Sequence, residues 1–216
     1  MTRILTEHEA KKLLAKYGVP VTEERLAGSA EEAFDIAMEI GMPVAMKISS
    51  PDIPHKSDVG GVVLNVKREE VRTTYNEIIS RIKKAAPNAN IEGILVQQMA
   101  PPGHEIIVGL KKDAQFGHAL MFGLGGIFVE VYKDVTFRVV PIDKSDALDM
   151  ISEIKGYPIL KGIRGRMPAD IDAIARVLVS VSDMAEKENI IELDINPLIV
   201  SESGAIAVDA RAMVED

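Results

Sequence analysis

The sequence predicts an α+β protein of two α/β lobes enclosing a cleft. Three observations carry that prediction. In the first hundred residues, short apolar runs alternate with segments whose apolar residues recur at helical spacing, as Ala33, Ile36, Ala37 and Ile40 do. In the second half, strand-like runs follow one another at 105–110, 118–122, 127–132 and 136–142. Between the halves stands Pro101-Pro102-Gly103, which suits neither a helix interior nor a central strand. Residues 1–100 and 101–216 are read as the two parts.

Element by element, Thr6 and Glu9 form a capping box that opens a helix with Ala10, Leu13, Leu14 and Tyr17 on one face. Gly18 and Pro20 end it. Ser29 and Glu32 repeat the device, and Gly41 closes the second helix. Val44 to Ile48 is a short apolar run, read as a buried strand ending near Lys47, and Val62 to Val66 is read as another. From Glu69 to Ala86 the stripe Val71, Tyr75, Ile78, Ile79 and Ile82 predicts a long amphipathic helix, stopped by Pro87-Asn88. Gly93 to Met99 reads as a strand. Beyond the four runs of the second half come helices at 145–155 and 170–188, joined by Gly162-Ile163-Arg164-Gly165-Arg166. The chain closes with strands at 190–195 and 198–201, a turn at Ser203-Gly204 and a strand at 205–210.

Composition narrows the function classes. With 216 residues, 47% hydrophobic and 27% charged, the chain has the makeup of an ordinary soluble protein. A net charge of −8, 4% aromatic residues and no tryptophan argue against a nucleic-acid surface or a base-stacking platform. No apolar run is long enough to span a bilayer and the N-terminus has no apolar signal core, so no membrane association and a cytoplasmic location are expected. Cysteine is absent and four histidines are scattered, which removes thiol chemistry and makes a histidine-rich zinc site a poor fit. Any metal should be hard and oxygen-bound.

The stretch Ser50-Pro51-Asp52-Ile53-Pro54-His55-Lys56-Ser57-Asp58-Val59-Gly60-Gly61 places a histidine in a loop that offers little to a core. A neutral imidazole can attack phosphorus near pH 7, so this is a phosphohistidine site in outline. A solvent-exposed loop histidine fits the same residues. In Ile191-Glu192-Leu193-Asp194-Ile195-Asn196, alternation puts Glu192, Asp194 and Asn196 on one strand face. A two-residue turn at Ser203-Gly204 would bring Asp209 opposite Leu198 and onto that face. Magnesium takes such oxygen donors; a polar, solvent-facing edge hairpin explains them as well. Lys47 can serve a phosphate as a point charge, or simply extend to water. The glycines of Gly123-Leu124-Gly125-Gly126 permit close approach of backbone N–H groups to an anion, or a tight turn between two strands. Glu105 and Arg138 are lone charges among apolar residues, and His8, His104 and His118 are read as structural. No arrangement for hydrolysis stands out, and the residues together describe a magnesium–nucleotide cleft with a nearby histidine.

Taken in order, several segments resemble one family nearly end to end. They are the run from Met46-Lys47-Ile48 through His55 to Gly60-Gly61, Gly103-His104-Glu105-Ile106-Ile107-Val108-Gly109, the run from Met121-Phe122-Gly123 to Glu130, Gly162-Ile163-Arg164-Gly165, and Glu192-Leu193-Asp194-Ile195-Asn196-Pro197-Leu198. The chain resembles the beta subunits of ADP-forming acyl-CoA (acetyl-CoA) synthetases, ATP-grasp proteins related to the beta subunit of succinyl-CoA synthetase. The resemblance implies an ATP-grasp fold gripping Mg2+ and ATP or ADP. It implies that Lys47 contacts ATP phosphates, that Gln97, Gln98 and Met99 form the hinge beside adenine, and that Glu105 orders the nucleotide site. Gly123, Gly125, Gly126 and Arg138 would lie near the phosphates, and Asn196 and Asp209 would hold magnesium with Asp194 close by. His55 falls where the family carries a second phosphorylatable histidine, and a swinging loop would let it relay the phosphoryl group.

By the same resemblance the reaction is acyl-CoA + ADP + phosphate ⇌ carboxylic acid + ATP + CoA. A separate alpha subunit would bring CoA, the acyl substrate and the first histidine, in an α2β2 assembly. The sequence lacks the additional C-terminal domain of the succinyl-CoA relatives, which favours the ADP-forming acyl-CoA branch. Two other functions compete. A stand-alone ATP-grasp carboxylate ligase would form acyl phosphate without His55. A non-catalytic nucleotide sensor would have no need to keep Lys47, His55, Asn196 and Asp209 together.

Overall fold

The capping residues start the helices expected of them. Thr6 caps α1 (Glu7–Lys16): its hydroxyl accepts the Glu9 N–H, and the Glu9 carboxylate accepts the Thr6 N–H at 2.9 Å. Ser29 caps α2 (Ala30–Ile40) through the Glu32 N–H, with Gly41 at its C-terminus. The computed structural model describes residues 2–53, 55–126, 129, 131–163 and 167–215. They pack as two compact units, residues 22–99 and residues 1–21 together with 100–216.

The 22–99 unit is a four-stranded antiparallel sheet under two helices, α2 and α3 (Val71–Ala85). Its strands are β2 (Glu24–Ala27), β3 (Val44–Ser49), β4 (Val62–Val66) and β5 (Gly93–Gln98), in the order β2-β5-β3-β4. Val44, Met46, Ile48, Ile94 and Val96 point from the sheet into a core shared with Ile36, Ile78 and Ile82. Strand β3 is buried along its whole length and runs on to Ser49, so Lys47 is its fourth residue of six and not its end. Its place between β5 and β4 supplies ladder partners on both sides and lets the strand extend.

The other unit is built on an antiparallel sheet of seven strands among the described residues. β1 (Thr2–Leu5), β6 (His104–Asp113), β7 (Gly117–Leu124), β8 (Val135–Val139), β9 (Ile190–Ser201) and β11 (Ala210–Glu215) run in the order β1-β11-β9-β6-β7-β8, and β10 (Gly204–Ala207) also pairs with β9. One face is packed by α1, α4 (Lys144–Glu153) and α6 (Ile171–Lys187), with the short α5 (Tyr157–Leu160) between the last two. Ile106, Val108, Leu110, Leu120, Phe122, Leu193, Ile195 and Leu198 meet Leu14, Met150, Ile174, Leu178 and Val181 there. The first 21 residues belong with this unit because β1 pairs with β11 across the whole chain, Thr2 with Glu215 and Leu5 with Ala212. Among the described residues no helix is long and apolar enough to cross a membrane.

Three local expectations change. Of the run read as a strand at 127–132, the described residues form none: Val129 is helical, and Val131 and Tyr132 lie in a turn, each 68% exposed. Ile127, Phe128 and Glu130 lie outside the described residues, as do Arg164, Gly165 and Arg166 of the later motif. The strands read at 190–195 and 198–201 are one strand, because a bulge absorbs Pro197. Ile106 pairs with Leu198 and Val108 with Ile195, so Asn196 and Pro197 together oppose Ile107. The hairpin turns at Glu202-Ser203, one residue early, with Gly204 opposite Ser201 and the Ser201 hydroxyl accepting the Ser203 N–H at 3.2 Å. Moving a turn by one residue slides the pairing by two. Asp209 therefore keeps its face but exchanges Leu198 for Asn196 as its neighbour, and the Asn196 N–H donates to the Asp209 carbonyl at 3.1 Å.

Gly156 joins the helical layer to the end of β7. Its N–H donates to the Asp134 carboxylate at 2.7 Å, and its φ of −76° suits any residue. A Cβ there would overlap Leu124 Cδ1 and lie 3.2 Å from Asp134 Oδ2. Gly156→Ala should cost about 1–3 kcal/mol through overpacking alone, read as a lowered midpoint in denaturant; an unchanged midpoint would show that Leu124 has room to yield.

Candidate functional site

On β9 the apolar residues Leu193 and Ile195 are buried against the helices, so Glu192, Asp194 and Asn196 project from the open face of the larger sheet. Across the register, Arg211 on β11 opposes Asp194 and Met213 opposes Glu192. Next along this ladder, Asn196 and Asp209 are backbone partners, and the Val208 N–H closes the bulge onto the Pro197 carbonyl at 3.0 Å. Burial pushes the Asp194 carboxyl up from its ordinary value; Arg211 opposes that shift and Glu192 reinforces it. From the helix side, Lys11, itself buried, donates to the Val208 carbonyl at 3.4 Å, one residue before Asp209.

Glu105 enters from the opposite edge of β9, opposite Ile199. The glycine segment lies against it: the Gly125 N–H donates to the Glu105 carbonyl at 2.7 Å. A Cβ on Gly125 would stand 3.0 Å from Glu105 Cβ, and Gly126 has a φ of +60°. Gly123 is held inside the sheet, where a Cβ would meet the Asp134 carbonyl oxygen at 2.8 Å. At Gly123 and Gly125 the neighbouring residues stand too close for a side chain, and at Gly126 the positive φ favours glycine. The segment is not a tight hairpin, since β8 begins only at Val135.

Arg138 stands apart from this group. It alternates with Phe137 on β8 and lies on the helix-covered side, opposite the core residue Leu120, where its guanidinium pairs with Glu153 of α4 at 2.5 Å. That hydrogen bond holds the Arg138 pKa above and the Glu153 pKa below their ordinary values.

In the 22–99 unit, Lys47 is 4% exposed and faces away from the core filled by Met46 and Ile48. Gln97 shares that face: Ala45 opposes Gln97 and Lys47 opposes Leu95. The Gln97 side chain is buried and donates to the Thr22 hydroxyl at 2.5 Å, while the Gln98 N–H donates to the Glu23 carbonyl at 2.8 Å. Gln97 to Met99 thus form the last residues of this unit and lie beside its first ones. His55 is exposed in the loop between β3 and β4, with its neighbour Pro54 outside the described residues.

Sequence reasoning missed Thr22, Arg211 and Lys11. Arg211 becomes legible only with the correct turn, two residues beyond Asp209 on the same face. Thr22 carries no pattern of its own. Lys11 shows a faint one, following Glu7 by four on the buried side of α1.

The residues supply a carboxylate and a carboxamide side by side at Asp209 and Asn196, a second acid at Asp194, and a glycine segment against Glu105. These are hard oxygen donors, and magnesium, which keeps water and phosphate as its other ligands, asks for only one or two from a protein. Among the described residues no cluster of three or more His, Asp or Glu side chains is placed to hold a metal unaided. The donor set therefore fits an ion shared with a phosphate better than a closed structural site.

The ATP-grasp domain family matches residues 1–214. This chain is an ATP-grasp protein. Within that family it is 52% identical over 214 residues to the acetate–CoA ligase [ADP-forming] I subunit beta of Pyrococcus furiosus, covering 98% of this chain and 92% of the relative. It thus belongs with the beta subunits of ADP-forming acetate–CoA ligases. Acetate–CoA ligase [ADP-forming] I of Archaeoglobus fulgidus is 48% identical over 207 residues, which are 95% of this chain but 30% of that longer one. The fold matches the acetyl-coenzyme A synthetase 1 of Ca. Korarchaeum cryptofilum with coenzyme A and Ca-AMPCP, at a TM-score of 0.96 and 51% identity over 99% of this chain and 94% of that one. The same synthetase with coenzyme A and Mg-AMPPCP, its phosphohistidine segment pointing towards the nucleotide binding site, matches at 0.86 and 48%, over 98% and 93%. These ATP-grasp relatives are ligases. As beta subunits, or as one part of a longer chain, they imply a partner for this protein.

Thr22→Val keeps the shape of the Thr22 side chain and removes the acceptor of the Gln97 amide. It should destabilise the protein by about 1–3 kcal/mol, because both groups are buried; equal denaturation midpoints for the two proteins would show that the bond contributes nothing.

Proposed function

We propose that this chain is the nucleotide-binding beta subunit of an ADP-forming acyl-CoA synthetase, catalysing acyl-CoA + ADP + phosphate ⇌ carboxylic acid + ATP + CoA with an alpha partner in an α2β2 complex. The observation that carries the reading is the juxtaposition of Asn196 and Asp209 across adjacent strands, on a face shared with Asp194, in a chain of this family. Lys47 is read as the phosphate contact, Gln97, Gln98 and Met99 as the adenine-side segment, and Glu105 with Gly123, Gly125 and Gly126 as the support of the nucleotide site. Arg138 is left out, being engaged with Glu153 on the other side of the sheet.

Asn196 and Asp209 would hold magnesium with Asp194 beside them, and the ion would neutralise phosphate oxygens during transfer. His55 acts as the carrier. When ATP is consumed, an imidazole nitrogen of His55 forms a bond to the terminal phosphorus as the bond from phosphorus to the ADP oxygen breaks, the electron pair leaving with ADP. The partner's histidine then takes the group as the His55 N–P bond breaks. Transfer to a carboxylate gives an acyl phosphate, which the CoA thiol converts to the thioester with release of phosphate. The Mg-AMPPCP complex of the Korarchaeum synthetase supports the metal and nucleotide assignments. The relatives support neither a stand-alone carboxylate ligase nor a sensor.

The test is phosphoryl labelling of the complex as it co-purifies, with Mg2+ and ATP carrying label on its terminal phosphate. Acid-labile, alkali-stable label should appear on His55 and on the partner, and His55→Ala should abolish its passage between them. Asn196→Ala or Asp209→Ala should raise the Mg2+ needed for half-maximal labelling by about tenfold or more. Bound nucleotide without any histidine label would overturn the relay, and acyl phosphate made by the isolated chain would point to a carboxylate ligase.

A further inference from the structure

The family resemblance puts an arginine near the phosphates, and Arg138 does not supply it, being paired with Glu153 on the helix-covered side. The open face of the larger sheet carries another. Arg211 lies two residues beyond Asp209 and directly opposite Asp194 on β9, so Asn196, Asp209, Asp194 and Arg211 stand at the corners of one patch. Cross-strand neighbours are about 5 Å apart and residues two apart along a strand about 7 Å. The long Arg211 side chain can therefore reach over its three neighbours.

On the other side of Asp194 the neighbouring residue is Gly109 of β6, which offers no side chain. A hollow of about 500 Å³ lies over it, lined by Met121, Phe137, Met213, Asp194 and Arg211 among others. A Cβ on Gly109 would stand 3.1 Å from Met121 Cε, so the glycine keeps that space open. Three cations line the hollow. Lys111 faces the Glu192 carboxylate at 3.9 Å, and Lys112 donates to the Glu215 carboxylate at 3.4 Å. Among the described residues no hydrogen bond or ion pair engages Arg211, whose charge acts on the Asp194 carboxyl without a bond to it.

A phosphoryl group in transfer spreads its charge over three equatorial oxygens, and the planar fork of arginine N–H groups suits two of them at once. We infer that the hollow over Gly109 receives the phosphoryl group in transit and that Arg211 is a catalytic residue gripping its non-bridging oxygens. The inference rests on the reading of Asn196 and Asp209 as the metal and phosphate site. Arg211 gives up no proton. Its N–H groups donate hydrogen bonds to those oxygens while the bond from phosphorus to the ADP oxygen breaks, the electron pair leaving with ADP, and the bond from the histidine nitrogen to phosphorus forms.

The test uses the complex as it co-purifies, with Mg2+, ADP and aluminium fluoride as a mimic of the group in flight. Arg211 is exposed while Ala210 and Ala212 anchor β11 in the core, so Arg211→Met should keep the wild-type melting temperature. By calorimetry it should bind ADP within about threefold of wild type but ADP with aluminium fluoride about a hundredfold more weakly. Histidine labelling from ATP should slow by about the same hundredfold. Arg211→Lys, a single point charge, should recover only part of both losses. Gly109→Val, which fills the hollow beside the movable end of Met121, should slow labelling by about tenfold or more. An arginine that merely offsets the charge of Asp194 gives another pattern. Its loss would strengthen cation binding, so Arg211→Met would need less Mg2+ and label at the wild-type rate, which would overturn the assignment. Wild-type labelling by Gly109→Val would overturn the place of the hollow. If the metal and phosphate reading itself fails, Asn196→Ala and Asp209→Ala will leave the binding of Mg2+ and ADP unchanged, and the inference falls with it.

Discussion

The hydrogen bonding of β9 along both of its edges sets the position of nearly everything on the open face of the larger sheet. One edge pairs with β6; the other pairs first with β11 and then with β10. A slip of one residue in either ladder would turn Leu193, Ile195, Leu198 and Val200 out of the core and the acids into it. Burying each such side chain is worth about 1.5–3 kcal/mol, whereas an exposed ion pair such as Lys111 with Glu192 contributes about 0–1 kcal/mol. The apolar residues therefore decide the register, and Asp194, Asn196 and Asp209 are placed by neighbours that take no part in their chemistry.

The bulge at Asn196-Pro197 modifies that register at one point only. Two residues occupy the space of one opposite Ile107, and the ladder resumes at Leu198 with its core side unchanged. The strand can thus present a carboxamide beside Asp209 without losing Ile195 or Leu198 from the core. Asp194, one step away, shows the opposing pulls on such a group: burial disfavours its charge, and Arg211 across the ladder restores part of it.

What was legible in the sequence was local. Capping boxes act over three residues and alternation acts over two, so the helix starts at Thr6 and Ser29 and the shared face of Glu192, Asp194 and Asn196 stand in the chain as written. What escaped depends on residues far apart. Nothing near Thr2 announces a partner at Glu215, and nothing near Arg138 announces Glu153 or the side of the sheet on which they meet. Val131 and Tyr132 have strand-forming side chains yet lie exposed in a turn, and among the described residues no strand pairs with them. The turn at Glu202-Ser203 was missed by one residue because a serine hydroxyl, and not the glycine, secures it.

The pairing of β1 with β11 also bears on how the chain acquires its structure as it is made. Residues 22–99 contain every strand and helix of their own sheet, so this segment can complete its core while the ribosome is still adding the second half of the chain. The larger sheet cannot. Its first strand emerges earliest and waits for a partner about two hundred residues later, a closure with a long loop and a slow search. Until α4 and α6 follow, Ile106, Leu120 and Phe122 lack the cover of Met150, Ile174 and Val181, and the nascent protein carries a finished unit within the sequence of an unfinished one. That interval is when a folding helper has the most to protect.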